Sequence, residues 1–168
     1  MMNLQELNLY GNQLISFADL KGMHNLKKLN VGKNKLITLA KFPALPALEH
    51  FDASENQITE NGEKELDHLK DCAKLVNLQM AGNPWVDEKG EDFKKEVLIA
   101  LDHLRIMQVN DAEEEVTEEE RTDARAEKEE REKARREAEE EARLAAEEAA
   151  AEAARAAAEG EGAAGEAE

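Results

Sequence analysis

The chain has 168 residues, a net charge of −17, one cysteine and 4% aromatic residues. Its acidity disfavours long-range attraction to DNA or anionic membrane, and a lone Cys72 leaves no internal disulfide, which suits a reducing compartment. The N-terminus "MMNLQELNLYG" lacks the basic and apolar regions of a secretory signal, and no run approaches the roughly 20 apolar residues of a membrane span. The charge is uneven: residues 1–110 hold 13 basic and 16 acidic side chains, residues 111–168 hold 9 and 23.

The N-terminal part repeats itself. The pattern L-x-x-L-x-L-x-x-N-x-L fits Leu4, Leu7, Leu9, Asn12 and Leu14, then Leu26, Leu29, Val31, Asn34 and Leu36. It returns at Leu48, Phe51, Ala53, Asn56 and Ile58, and at Leu75, Leu78, Met80, Asn83 and Trp85. The first three copies are spaced by 22 residues and the fourth by 27, an insertion of five. In each L-x-L the two apolar residues share one face of a short strand, because strand side chains alternate. The intervening and flanking residues then face outward, which makes Glu6, Asn8, Tyr10, Lys28, Asn30, His50, Asp52, Asn77 and Gln79 candidates for a concave partner-binding face. Four copies in register resemble the leucine-rich repeats of the intracellular 22-residue class. That resemblance implies that each Asn amide caps backbone groups of neighbouring coils.

The second half of each repeat places apolar residues three apart, as in Phe17, Leu20 and Met23 or Leu39, Phe42 and Leu45. This interval predicts a short 3₁₀ or helical return. In the longer third repeat Leu66, Leu69 and Cys72 keep it, and the insertion is expected to lengthen the return into a helix. Cys72 therefore reads as a small buried hydrophobe. His24, His50, His68 and His103 share no metal-binding spacing, and no nucleophile-elbow, P-loop or H-E-x-x-H pattern occurs. No metal, cofactor or enzymatic activity is expected. A repeat that starts at Leu4 is expected to lack an N-terminal cap, leaving its open end to a partner or to missing sequence.

The fourth repeat runs into "GNPWVDEKGEDFKKEVLIALDHLRIMQVND", where Phe93, Val97, Leu98, Leu101 and Leu104 recur at three and four. This predicts an amphipathic cap helix followed by a last strand or turn at Ile106–Val109. An extracellular cap also can begin with Asn-Pro-Trp, but the cysteines it needs do not follow. Beyond Asn110 the chain is almost all Glu, Ala, Arg and Lys, with Val116 and Leu144 as the only larger aliphatics. These are strong helix formers without a coiled-coil seam. Glu127–Arg131, Glu129–Lys133, Glu132–Arg136 and Glu139–Arg143 have the spacing of supporting i, i+4 pairs. A solitary helix over 111–159 would reach roughly 70 Å; a disordered acidic tail is the competing reading.

Repeats, cap and the junction "EVTEEERTDARAEKEE" together resemble the leucine-rich repeat protein of the ciliary and flagellar radial spoke. The resemblance implies a fold of class α/β: a short leucine-rich repeat solenoid over 1–84, a helical C-terminal cap over 85–110, a long solitary charged helix over 111–159 and a flexible tail over 160–168. It implies a non-enzymatic scaffold, cytoplasmic and axonemal, whose partners are other radial spoke subunits rather than nucleic acid or membrane. Fuller members of that family carry more repeats upstream. The alternative is an acidic nuclear leucine-rich repeat regulator that binds histones or a phosphatase. Its tail would be nearly pure Asp and Glu, whereas bases and alanines interleave here.

Overall fold

The computed structural model describes residues 3–18, 20–59, 64–108 and 113–162, apart from the side chains of Lys64, Glu91, Gln108, Glu113 and residues 152–162. It divides into two compact units, Met1–Ala126 and Glu127–Glu168.

The first unit is built on one six-stranded sheet in chain order: β1 (Glu6–Asn8), β2 (Lys28–Asn30), β3 (His50–Asp52), β4 (Asn77–Gln79), β5 (Ile106–Gln108) and β6 (Glu113–Glu115). The first five strands are parallel, and β6 is antiparallel to β5. The register puts Leu7, Leu29, Phe51, Leu78 and Met107 side by side on the inner face. The last four of these are buried, while Leu7 at the edge is half-buried. One apolar core thus runs behind the sheet, with Phe17, Phe42 and Phe51 in edge-to-face contact at centroid separations of 5.0, 6.2 and 4.9 Å.

Each strand ends in the same backbone device. The residue before the repeat asparagine is left-handed in all four copies: Gly11 (φ 70°), Lys33 (φ 52°), Glu55 (φ 50°) and Gly82 (φ 68°). Glycine takes that conformation without strain. Lys33 and Glu55 take it at a cost of roughly 1–2 kcal/mol, which the following asparagine must offset.

The returns are mostly isolated turns. Leu20, Leu26, Phe42 and Leu48 each donate a backbone hydrogen bond to the carbonyl three residues earlier. Among the described residues the third repeat winds further, into α1 (Lys64–Asp67) and the successive turns Leu66–Leu69, Leu69–Cys72 and Cys72–Leu75. α1 supplies a buried carboxylate: Glu65 accepts hydrogen bonds from the Thr38 hydroxyl (2.6 Å) and the Leu39 N–H, tying the third return to the second. Cys72 is fully buried, and burial pushes its thiol up to about 11, so it remains a protonated packing group.

The cap has two helices, α2 (Pro84–Lys89) and α3 (Glu91–Ala100), split at Gly90. Pro84 stands at the start of α2, where its missing N–H is not needed. Trp85 and Phe93 meet edge-on at 5.1 Å, and Phe93, Val97, Leu98, Leu101 and Leu104 are all buried.

The charged helix does not start at 111. Residues 109–112 lie outside the described ones, Glu113–Glu115 form β6, and α4 runs from Glu118 to Gly162, past the expected end at 159. Two contacts move the start. Val116 N–H donates to the Arg105 carbonyl (2.8 Å), holding the glutamates extended beside β5. Thr117 and Glu120 then form a capping box: the Glu120 N–H donates to Thr117 Oγ1 (3.2 Å), and the Thr117 N–H donates to Glu120 Oε2 (2.8 Å). Ala124, on the second turn, is buried in the core of the first unit. Of the expected tail, 160–162 are helical and 163–168 lie outside the described residues. In the second unit Glu127–Arg131 (2.6 Å) and Glu132–Arg136 (3.6 Å) pair as expected. Lys133 instead reaches forward to Glu137, and Glu139 pairs with Arg135.

Lys94 on α3 fixes the first turn of α4, with its ammonium 2.7 Å from Glu120 and 3.1 Å from Glu114. Burial pushes the lysine down, but hydrogen bonds and charge from the two carboxylates outweigh it and hold its pKa above the ordinary value. Burial pushes Glu120 up, yet Lys94 and Thr117 hold its carboxyl below the ordinary value. A lowered Glu120 contributes stability that is lost as pH falls through its folded value; a raised Lys94 contributes stability that is lost as pH rises through its own. Lys94→Met should lower the unfolding midpoint at neutral pH by about 2–4 °C. The gap from wild type should close in acid. A melt of both proteins across pH checks this; a gap of constant size would remove the ion pair as its cause.

Candidate functional site

The outward face of the sheet carries two columns of side chains. One holds Glu6, Lys28, His50, Asn77 and Ile106; the other holds Asn8, Asn30, Asp52 and Gln79. Together they line a groove of about 650 Å³ floored by Leu7, Leu29 and Phe51. Eight of the nine residues singled out from the sequence line it; Tyr10 does not. Ile106 joins them because β5 extends the register by one strand, a position the alternation argument left out.

The two columns differ in what they have left to offer. Asn8 Oδ1 accepts from the Tyr10 N–H (2.9 Å), Asn30 Oδ1 from the Gly32 N–H (2.9 Å), and Asp52 Oδ1 from the Ser54 N–H (2.9 Å). Asp52 also accepts from the Ser54 hydroxyl (2.6 Å) and, at Oδ2, from the Asn30 amide (2.8 Å). These side chains close the turn that follows each strand, so much of their hydrogen-bonding capacity is spent within the fold. The other column is more open. Lys28 and Glu6 are both exposed and form a 2.9 Å ion pair, which water screens heavily. His50 is half-buried at the centre of the groove, whereas Asn77 is buried. Tyr10 stands just beyond the groove, 46% exposed. Its hydroxyl lies 3.4 Å from Glu55, and its ring crosses Gly32 so closely that a Cβ there would come within 3.0 Å of Tyr10 Cδ2. A side chain at Gly32 would crowd the Tyr10 ring and the Ser54 hydroxyl.

Behind the face, the asparagines form a ladder. Asn34 donates to the carbonyls of Leu9, Val31 and Gly32 and accepts from the Leu14 N–H. Asn56 repeats the set one coil on, with Val31, Ala53, Ser54 and the Leu36 N–H. Asn83 does so with Ala53, Met80 and the Ile58 N–H.

A family model described as leucine-rich repeats in two copies matches residues 3–44. Those residues are leucine-rich repeats. The matched span covers the first two copies, and β3 and β4 continue their register beyond it. Among solved structures, the crystal structure of the Drosophila melanogaster SNF/U2A' complex is similar, with a TM-score of 0.47 and 17% identity over 72% of this chain and 79% of that one. No curated protein matches the chain. Leucine-rich repeats generally serve protein–protein interaction, through the extended surface that stacked repeats create. Among the described residues no group of three or more His, Cys, Asp or Glu is placed to hold a metal ion, and no helix is long and apolar enough to cross a membrane.

Proposed function

We propose that the chain is a non-enzymatic protein-interaction scaffold whose sheet face receives another protein. The observation that carries this reading is the groove in which the open column, with Lys28 and His50, lies beside a column already tied into the turns. A rigid backbone there presents a few polar groups, with the half-exposed Tyr10 ring beside them, an arrangement that suits an interface anchor. The finer reading is a structural subunit of the axonemal radial spoke, cytoplasmic and placed in the cilium or flagellum, with other spoke subunits as partners. It is supported by the resemblance of the cap and the "EVTEEERTDARAEKEE" junction to that family.

The test is re-addition of purified protein to axonemes that lack it. Wild type should be incorporated, and the Tyr10→Ala, His50→Ala double variant should be incorporated about tenfold less well, with unchanged circular dichroism. Equal incorporation of the two would remove the sheet face. Failure of both to incorporate, with wild type captured by histones, would replace the axonemal reading by the nuclear one.

A further inference from the structure

β1 is the outermost strand of the sheet, and its outer edge differs from the edge it shows to β2. The Gln5 carbonyl accepts from the N–H groups of Lys27 (2.7 Å) and Lys28 (3.0 Å), and the Leu9 N–H donates to the Asn30 carbonyl (2.7 Å). Alternate residues of a strand serve the same neighbour, so Gln5, Leu7 and Leu9 are turned to β2, and the N–H and carbonyl groups of Glu6 and Asn8 are turned away. The amide ladder is open on the same side. Oδ1 of Asn34, Asn56 and Asn83 each accepts an N–H from the coil before, whereas Asn12 Oδ1 accepts none among the described residues.

The side chains along this edge are apolar. Leu4, Leu7, Leu9 and Leu14 are half-buried, where their counterparts one coil on, Leu26, Leu29, Val31 and Leu36, are buried. Ile15, next in the chain to Leu14, is 70% exposed. Residues 3–18 carry one charged side chain, Glu6, in a chain of which 36% is charged, and Lys28 meets it at 2.9 Å. Such an edge gives a strongly acidic or basic partner nothing to pair with. What matches it is another edge of the same kind, with apolar side chains on the inner face and alternating donors and acceptors along the backbone. In a chain of net charge −17, a neutral edge also lets two copies approach with little local repulsion.

The geometry points to a second copy of this chain as the occupant, its β1 laid antiparallel on β1 about a two-fold axis through Leu7. Two outer edges can also meet with the strands parallel, but the axis then runs along the strands and sets one copy's inner face beside the other's outer face. The perpendicular axis keeps both inner faces on one side. Glu6 then exchanges backbone hydrogen bonds with Asn8 of the second copy, and the two Leu7 side chains form a close, non-hydrogen-bonded pair. On the outer face glutamate meets asparagine rather than glutamate. A two-fold contact is closed, so it ends at a dimer. Glu6, Leu7 and Asn8 also line the sheet-face groove. Here they act through the backbone edge, and the readout is self-association rather than incorporation into axonemes, so the two readings fail separately.

The experiment is sedimentation equilibrium of the full chain over a range of concentration and salt. A monomer–dimer equilibrium should be found, and it should tighten with added salt, which screens the repulsion between two acidic chains and leaves the apolar contact in place. Glu6→Pro removes one outward N–H from each copy without touching a backbone bond to β2. It should weaken the dimer about tenfold or more, with unchanged circular dichroism. Under oxidation Leu7→Cys should give a disulfide-linked dimer, whereas Gln57→Cys, exposed on the third coil, should not; Cys72 is buried and stays out of the reaction. A monomer at every concentration and salt would overturn the proposal, as would a dimer indifferent to Glu6→Pro or the absence of a cross-link in Leu7→Cys. Growth past the dimer into longer assemblies would overturn it in favour of an open head-to-tail contact.

Discussion

Leu29→Asp is expected to abolish cooperative unfolding of the first unit. Leu29 is the middle residue of β2, 2% exposed, with Leu7 and Phe51 beside it in register. An aspartate there either ionises without a partner or stays protonated against its ordinary preference, and it leaves part of the leucine volume empty. Each route costs several kcal/mol, against a total stability of about 5–15 kcal/mol for a domain. The control is the adjacent residue. Lys28→Asp makes a larger change in charge but acts on an exposed side chain whose ion pair with Glu6 is a screened one, worth about 1 kcal/mol or less. Urea titration of the two variants separates them. A sharp transition for Leu29→Asp, close to that of Lys28→Asp, would mean that Leu29 does not face the core.

Much of this fold was legible because strand alternation and a 22-residue period leave few choices. Leu29, Phe51 and Leu78 had to share one face once Asn34, Asn56 and Asn83 set the turns, and the strands pair in that register. Other features were hidden for physical reasons. Glu113–Glu115 reads as the acidic start of a helix, and glutamate has little preference for strands. Its extended form is imposed by β5, a partner remote from any local pattern. The signal that could have placed the helix start correctly was local: Thr117 with Glu120 three residues on. The left-handed position before each asparagine shows itself as glycine at 11 and 82 but is disguised as Lys33 and Glu55 in between. Glu65 could not be foreseen as buried, since the insertion before it breaks the spacing that aligns the other repeats.

The candidate site was legible in position and less so in capacity. Alternation puts Asn8, Asn30 and Asp52 on the outer face, and they lie there. What alternation does not reveal is that a short Asn or Asp side chain can reach the N–H two residues on, and here all three do. Lys28 and His50 are too long or too wide for that bond, which is why the open column is the one without short amides and carboxylates in its middle.

Asn56→Ala should remove about 2 kcal/mol of stability, more than trimming an exposed polar side chain. The reason is that one buried amide links backbone groups of two neighbouring coils. Its Nδ2 donates to Val31 (3.0 Å), Ala53 (3.0 Å) and Ser54 (3.0 Å), and its Oδ1 accepts from the Leu36 N–H (3.1 Å). Asn56 is 6% exposed, so water does not readily replace it. The Leu36 N–H is left without its partner, at about 1–3 kcal/mol, whereas the Val31, Ala53 and Ser54 carbonyls each lose one bond but keep another, from Asn34, Asn83 and the Lys33 N–H. Glu55 adds to this, since the bonds made by Asn56 hold its left-handed backbone in place (φ 50°). Asn56→Asp separates the two halves of the amide. Aspartate keeps an acceptor for Leu36 but offers no donor to the three carbonyls and sets a negative charge among them. It should therefore destabilise at least as much as alanine at neutral pH, and less in acid, where the protonated carboxyl regains one donor. Asn12→Ala is the internal contrast. Among the described residues Asn12 makes two bonds, to Leu9 (2.8 Å) and Tyr10 (3.3 Å), and it is exposed, so water can take its place. Chemical denaturation of the three variants ranks them; an Asn56→Ala protein no less stable than Asn12→Ala would show that adjoining coils are held by apolar packing alone and that the amide ladder is not what joins them.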